Sequence, residues 1–170
     1  MRQVIWLACG FFAASILAGG QVAVEPQGQV ASCAVTVPNG VTAGADETPG
    51  SLNFGTRQIS VLLWPDSTVV FRAGGPGFLT RSDALGMKFP WQRGVPGQLT
   101  IEGRRLDGAA SPLRAEVPHG YGDRGFQATY VIFPTPGCWE VTGRVGDASL
   151  TFVTRVVKVG AGPAWRRDVP

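Results

Sequence analysis

Residues 136–157 read PGCWEVTGRVGDASLTFVTRVV, and the fold turns on this stretch. Pro136-Gly137 marks a turn, and Trp139, Val141 and Val145 alternate with Glu140, Thr142 and Arg144. Gly146-Asp147 can reverse the chain, after which comes a run rich in Val, Thr and Phe. The spacing predicts a β-hairpin with arms long enough to lie inside a sheet. The large aromatic on one face of the first arm requires a cover, and a second sheet is the simplest one.

The rest of the chain agrees with an all-β reading. Its 170 residues allow one domain, with 44% hydrophobic and 16% charged residues and no low-complexity tract. The 24 Gly and 13 Pro are more breakers than a helical protein can place, whereas short strands use them at every reversal. The formal charge is +3, and the basic residues lie scattered among acids with no run beyond Arg104-Arg105 and Arg166-Arg167. A nucleic-acid-binding surface would concentrate them, so nucleic acid is not an expected partner.

The N-terminus combines Arg2, an apolar run from Val4 to Ala18, and small residues suited to cleavage after Gly20. Residues 1–20 read as a secretory signal peptide, because the run falls short of the roughly 20 apolar residues that span a bilayer. An uncleaved anchor and lipidation at Cys9 are the lesser alternatives. Cleavage leaves no expected membrane span and an even pair, Cys33 and Cys138, in a chain bound for an oxidising compartment. A disulfide is the leading reading, two buried thiols the other.

Residues 21–29 read as a flexible arm, 30–159 as the sandwich domain and 160–170 as a flexible tail. Within the domain, Val30 to Val37 is the first strand candidate, and residues 41–51 form an exposed loop. Ile59 to Arg72 reads as a hairpin around Pro65-Asp66-Ser67. Residues 78–96 read as loop with a short strand from Met87 to Trp91. Gln98 to Leu106, Leu113 to Val117 and Gln127 to Phe133 are further strands, with a turn-rich loop at His119 to Gly122. The count is about eight or nine strands and no convincing helix, the signature of an antiparallel β-sandwich.

The closing stretch PGCWEVTGRVGDASLTFVTRVV resembles the last two strands of bacterial immunoglobulin-like modules. Together, KFPWQRGVPGQLTIEGRRLD at Lys88 to Asp107, HGYGDRGFQ at His119 to Gln127 and FPTPGCWEVTGRVGD at Phe133 to Asp147 resemble small secreted bacterial proteins of unassigned function. The resemblance implies export and an immunoglobulin-like sandwich, and brings no catalytic residues. One departure matters. If Trp139 faces the core, Cys138 beside it faces outward, so a bond to Cys33 would staple the outside of the sandwich and not join the two sheets through the core.

Most site chemistry lacks its residues. Blue copper needs two His, a Cys and usually a Met, but His119 is the one histidine, which also excludes His-rich zinc and facial-triad iron sites. No metal or cofactor is therefore expected. Neither Ser111 nor Ser149 sits in a motif linking it to His119, and AGGPGF at residues 73–78 lacks the helix that a phosphate loop needs. Glu102, Asp107, Glu116 and Asp123 are available as paired carboxylates but are spaced singly. What remains is a surface. Trp91, Arg93, Arg105 and Tyr121 are the aromatic and guanidinium groups in or near loops that binding patches favour. The leading expectation is an exported, non-enzymatic domain that binds an unidentified envelope or extracellular ligand or protein through them. The alternative is a structural adhesion or assembly module working by edge-strand pairing, and a third is a carboxylate-based hydrolase.

Overall fold

A computed structural model of the protein describes residues 32–45 and 48–167. The expected signal peptide and arm lie outside the described residues, as do the last three residues of the expected tail. Ten strands follow in chain order: β1 (Asn53–Gly55), β2 (Ile59–Leu62), β3 (Thr68–Arg72), β4 (Phe78–Leu79), β5 (Leu85–Arg93), β6 (Thr100–Arg105), β7 (Arg114–Glu116), β8 (Gly125–Phe133), β9 (Gly137–Val145) and β10 (Ala148–Val159). One sheet runs β1-β2-β5-β8-β7, with β4 also paired to β5, and the other runs β3-β10-β9-β6. The molecule is a two-sheet β-sandwich.

The decisive hairpin is β9 and β10, in continuous register from Ala148 against Val145 to Val156 against Gly137. Period-two alternation along β10 buries Leu150, Phe152, Thr154 and Val156 and leaves Ser149, Thr151 and Arg155 outside. Phe152 meets the facing sheet at Phe89 (ring centroids 5.8 Å apart) and Trp91 (6.0 Å), and Trp139 meets Phe133 at 5.6 Å. Each of these rings is essentially solvent-free, so burial and offset ring contacts together hold the sheets face to face.

Four expectations are corrected. Ile59 to Arg72 is not a hairpin: β2 pairs antiparallel with β1 and β5, whereas β3 crosses over and pairs parallel with β10. The Pro65–Ser67 turn makes a corner between sheets because Asp66 and Ser67 both take positive φ, 50° and 46°. The corner is tied down where the Ser67 hydroxyl donates to the Thr36 carbonyl and the Thr154 hydroxyl donates to the Ser67 carbonyl at 2.8 Å.

The short strand expected at Met87 to Trp91 is instead the nine-residue β5, bonded to β2, β4 and β8. Gly86 and Pro90 look like breakers in the sequence but fit here. Gly86 lies under the Phe78 ring, where a β-carbon would stand 2.1 Å from it. Pro90 sits where β5 has lost its partner on one side, the β2 ladder ending at Val61 against Trp91 and the β4 ladder beginning at Gly86.

The expected frayed tail is docked as far as Arg167. Arg166 bridges Leu79, the Arg167 amide donates to the Leu79 carbonyl at 2.8 Å, and the Trp165 ring lies 5.0 Å from Phe78. Aromatic burial and ring contacts decide this, and neither has a sequence period.

The described part of the first strand candidate, from Ser32 to Val37, has no strand assignment. Thr36 nevertheless reaches the edge of β10 that β3 leaves uncovered, donating its amide to the Val153 carbonyl (2.9 Å) and accepting the Val153 amide on its hydroxyl (2.8 Å).

Candidate functional site

The residues expected to form a contact patch do not converge. Trp91 faces inward from β5, has no exposure, and packs on Phe152 and across Gly143. It belongs to the core, because odd-numbered residues of β5 face inward and position 91 continues the series Leu85, Met87 and Phe89. Arg93 is next in that series, 4% exposed at the end of the core. Its guanidinium donates to the carbonyls of Gly97 (2.9 Å), Tyr121 (3.0 Å) and Gly122 (2.9 Å), so it holds a loop in place and presents no charge to a ligand. Tyr121 is exposed on that loop beside Phe126, with ring centroids 5.7 Å apart.

Arg105 lies at the other end of the sandwich. Arg93 pairs with Gly125 at the start of β8, whereas Arg105 reaches Thr135 beyond its end. There Arg105 donates to Asp107 at 2.7 Å. Burial acts to raise the Asp107 carboxyl, but the hydrogen bonds from Arg105 and from the Cys138 amide outweigh it and hold the group below its ordinary range. The neighbouring disulfide joins Cys33 to Cys138 (S–S 2.07 Å, Cα–Cα 5.4 Å), on the face of β9 opposite Trp139. It staples the outside of the four-stranded sheet.

The carboxylates weighed for hydrolysis are dispersed. Glu102 on β6 pairs with Arg144 at 2.9 Å, Asp107 in the following loop with Arg105, and Glu116 on β7 with Arg167 at 2.8 Å, while Asp123 lies in the loop before β8. Among the described residues, no group of three or more His, Cys, Asp or Glu side chains could hold a metal ion. No helix among them is long and apolar enough to cross a membrane.

The structure assembles a different site on the outer face of the six-stranded sheet, a groove of about 510 Å³. Its floor is β5 at Lys88 and Pro90, where that strand lacks a partner on one side. One wall is the sheet-crossing corner, with Leu62, Trp64 and Pro65, and another is the loop before β4, with Pro76 and Gly77. Tyr130 of β8 and Trp165 of the docked C-terminal segment close it. The Trp64 indole N–H donates to the Lys88 carbonyl at 3.2 Å, which fixes that ring over the gap in the sheet. Trp165 is set by Phe78, and Tyr130 is gripped between Phe78 (5.4 Å, edge-on) and the Arg167 guanidinium 4.7 Å above its ring.

Sequence reasoning missed Trp64, Lys88, Tyr130 and Trp165 because they come from four separate segments. The one local signal was Leu62-Leu63-Trp64-Pro65, where strand alternation breaks just before a turn.

No family model matches this chain. No solved structure matches it either. Among curated proteins it is similar to the flagellar basal-body rod protein FlgF of Salmonella typhimurium, 37% identical over 87 residues. That match takes in 50% of this chain and 31% of the rod protein, so the chain spans less than a third of the length of the relative it resembles.

Proposed function

We propose that this chain is an exported, non-enzymatic binding domain of the cell envelope, with an immunoglobulin-like arrangement, that acts through the groove between Trp64, Lys88, Tyr130 and Trp165. The observation that carries the proposal is the groove itself: three aromatic side chains from separate elements around an unpaired stretch of β5, open to solvent. Concave, mostly apolar sites with a few polar groups are where proteins take ligands. The strand order supports the immunoglobulin-like assignment. β2, β5, β8 and β7 stand where strands A, B, E and D would, and β6, β9 and β10 where C, F and G would. The Cys33–Cys138 bond supports export, since such bonds persist in oxidising compartments. The resemblance to small secreted bacterial proteins of unassigned function is part of the same reading.

The test is a two-dimensional NMR titration of the exported protein with peptidoglycan fragments, envelope glycans, lipid micelles and envelope-protein peptides. Shifts confined to the indole signals of Trp64 and Trp165 and the amides around Lys88 and Tyr130 are expected with one of these classes. Shifts elsewhere, with the groove silent throughout, would overturn the assignment.

A second reading has one observation behind it. The similarity to a flagellar basal-body rod protein favours an assembly module that joins other subunits through its sheet edges. Sedimentation velocity over a wide concentration range separates the two, because an assembly module self-associates or joins a rod subunit and a monomeric groove binder does not.

A further inference from the structure

The geometry points to an extended, proline-containing peptide segment bearing a carboxylate as the occupant of the groove, an inference that rests on reading the groove as the binding site. Among the described residues, the lining contains no Asp, Glu, Asn or Gln side chain. A sugar would find no carboxylate or side-chain amide among the described lining residues to hold its hydroxyls. An acyl chain would bury one flank and leave the other in water, because the groove opens along the outer sheet face. An extended peptide suits such a groove: its apolar side packs down and its other side stays solvated.

Two further features favour proline. Tyr130 and Trp165 both line the groove, and among the described residues neither the Tyr130 hydroxyl nor the Trp165 indole N–H makes a hydrogen bond, so neither donor is already engaged. A polyproline II ligand uses such an arrangement, with proline rings between aromatic walls and free backbone carbonyls for the donors, and it loses little chain entropy on binding. The charge of the groove supplies the third element. Lys88 is the one charged side chain among the described lining residues and is exposed, so a carboxylate on the segment meets its ammonium without displacing another partner among them.

The test uses the exported protein and a blocked hexapeptide of sequence PPEPVP, with fluorescence and NMR titration as readouts. Three control peptides accompany it, with all prolines replaced by alanine, with the glutamate replaced by glutamine, and with it replaced by lysine. The parent peptide is expected to shift the Trp64 and Trp165 signals, and the alanine peptide to bind at least fivefold more weakly. K88E should weaken the parent peptide about tenfold and restore the lysine peptide, a reversal that a purely structural role for Lys88 would not produce. W165A should weaken all four peptides, with circular dichroism confirming that it folds. Equal binding of all four peptides, or an unchanged ranking in K88E, overturns the inference about peptide chemistry. If a glycan or a micelle moves the groove signals and no peptide does, the peptide inference falls and the groove remains the site. If no probe moves them, both fall.

Discussion

The indole of Trp91 packs directly on β9 at Gly143, where a β-carbon would stand 2.5 Å from the ring. The strand facing β5 therefore carries no side chain at the point where the largest core ring crosses it. Gly143→Ala forces the ring or the strand to shift and is expected to cost about 1–3 kcal/mol by overpacking. Urea denaturation followed by Trp fluorescence measures it, and a variant as stable as the parent would show that the sheets have room to separate.

Arg93 is the clamp of the loop that carries Tyr121. Arg93→Ala leaves the carbonyls of Gly97, Tyr121 and Gly122 without their shared donor and should cost about 2–3 kcal/mol. Arg93→Lys should recover only part of this, since an ammonium lacks the fork that spans the separate carbonyls. Hydrogen exchange at residues 121–124 should rise in both variants, more in the alanine variant.

Cys33 and Cys138 lie 105 residues apart in sequence. Their bond constrains the unfolded chain, and its loss should cost on the order of 4 kcal/mol in the chain-entropy model. Reduction should lower the melting temperature of the parent and leave a C33S/C138S double variant unchanged. The Thr36 contacts with Val153 should weaken in step, visible as faster exchange of the Val153 amide.

The Asp107 carboxyl is held below its ordinary range, so the folded state keeps it ionised when the unfolded chain takes up a proton. Its contribution to stability is complete above the unfolded pKa, near 4, and is lost as pH falls through the lower folded value. Asp107→Asn is expected to be destabilised relative to the parent at pH 7 and to converge with it as the pH drops below about 4. Melting temperatures from pH 2 to 7 test this; a constant difference between the two proteins would assign Asp107 no role in the acid limb.

The docked C-terminal segment supplies one wall of the groove. Ending the chain at Gly160 uncovers Phe78 and Tyr130 and removes both the Trp165 stacking and the Arg167 cation–π contacts, which together contribute about 1–3 kcal/mol. The truncated protein should still unfold cooperatively, because the two sheets stay intact, and it should bind a hydrophobic dye at the uncovered rings. Retention of full stability would mean that the segment docks without contributing.

Where the chain's own alternation carried the information, the structure follows it closely. β9 and β10 obey the pattern of Trp139, Val141 and Val145 residue by residue, and the outward position of Cys138 follows from its place beside Trp139. Around Gly86 and Pro90 the same reasoning fell short, giving only Met87 to Trp91 where β5 runs from Leu85 to Arg93. Only the neighbours reveal that the glycine makes room for the Phe78 ring and that the proline meets an unpaired edge. Trp91 was misplaced for a related reason: at the end of an expected short strand it looks like a residue beside a loop until β5 is known to continue to Arg93.

The linear chain points to the class of fold and makes a Cys33–Cys138 cross-link the leading reading, because side-chain period, turn residues and cysteine number are local properties; the packed molecule brings the two cysteines together. Only the packed molecule settles which sheet β3 joins, why residues 162–167 leave solvent for Phe78, and how Trp64, Lys88, Tyr130 and Trp165 come to surround one groove. Each of those outcomes depends on burial summed over segments far apart in sequence, so the partner of a strand or a ring is fixed by what else has already been covered.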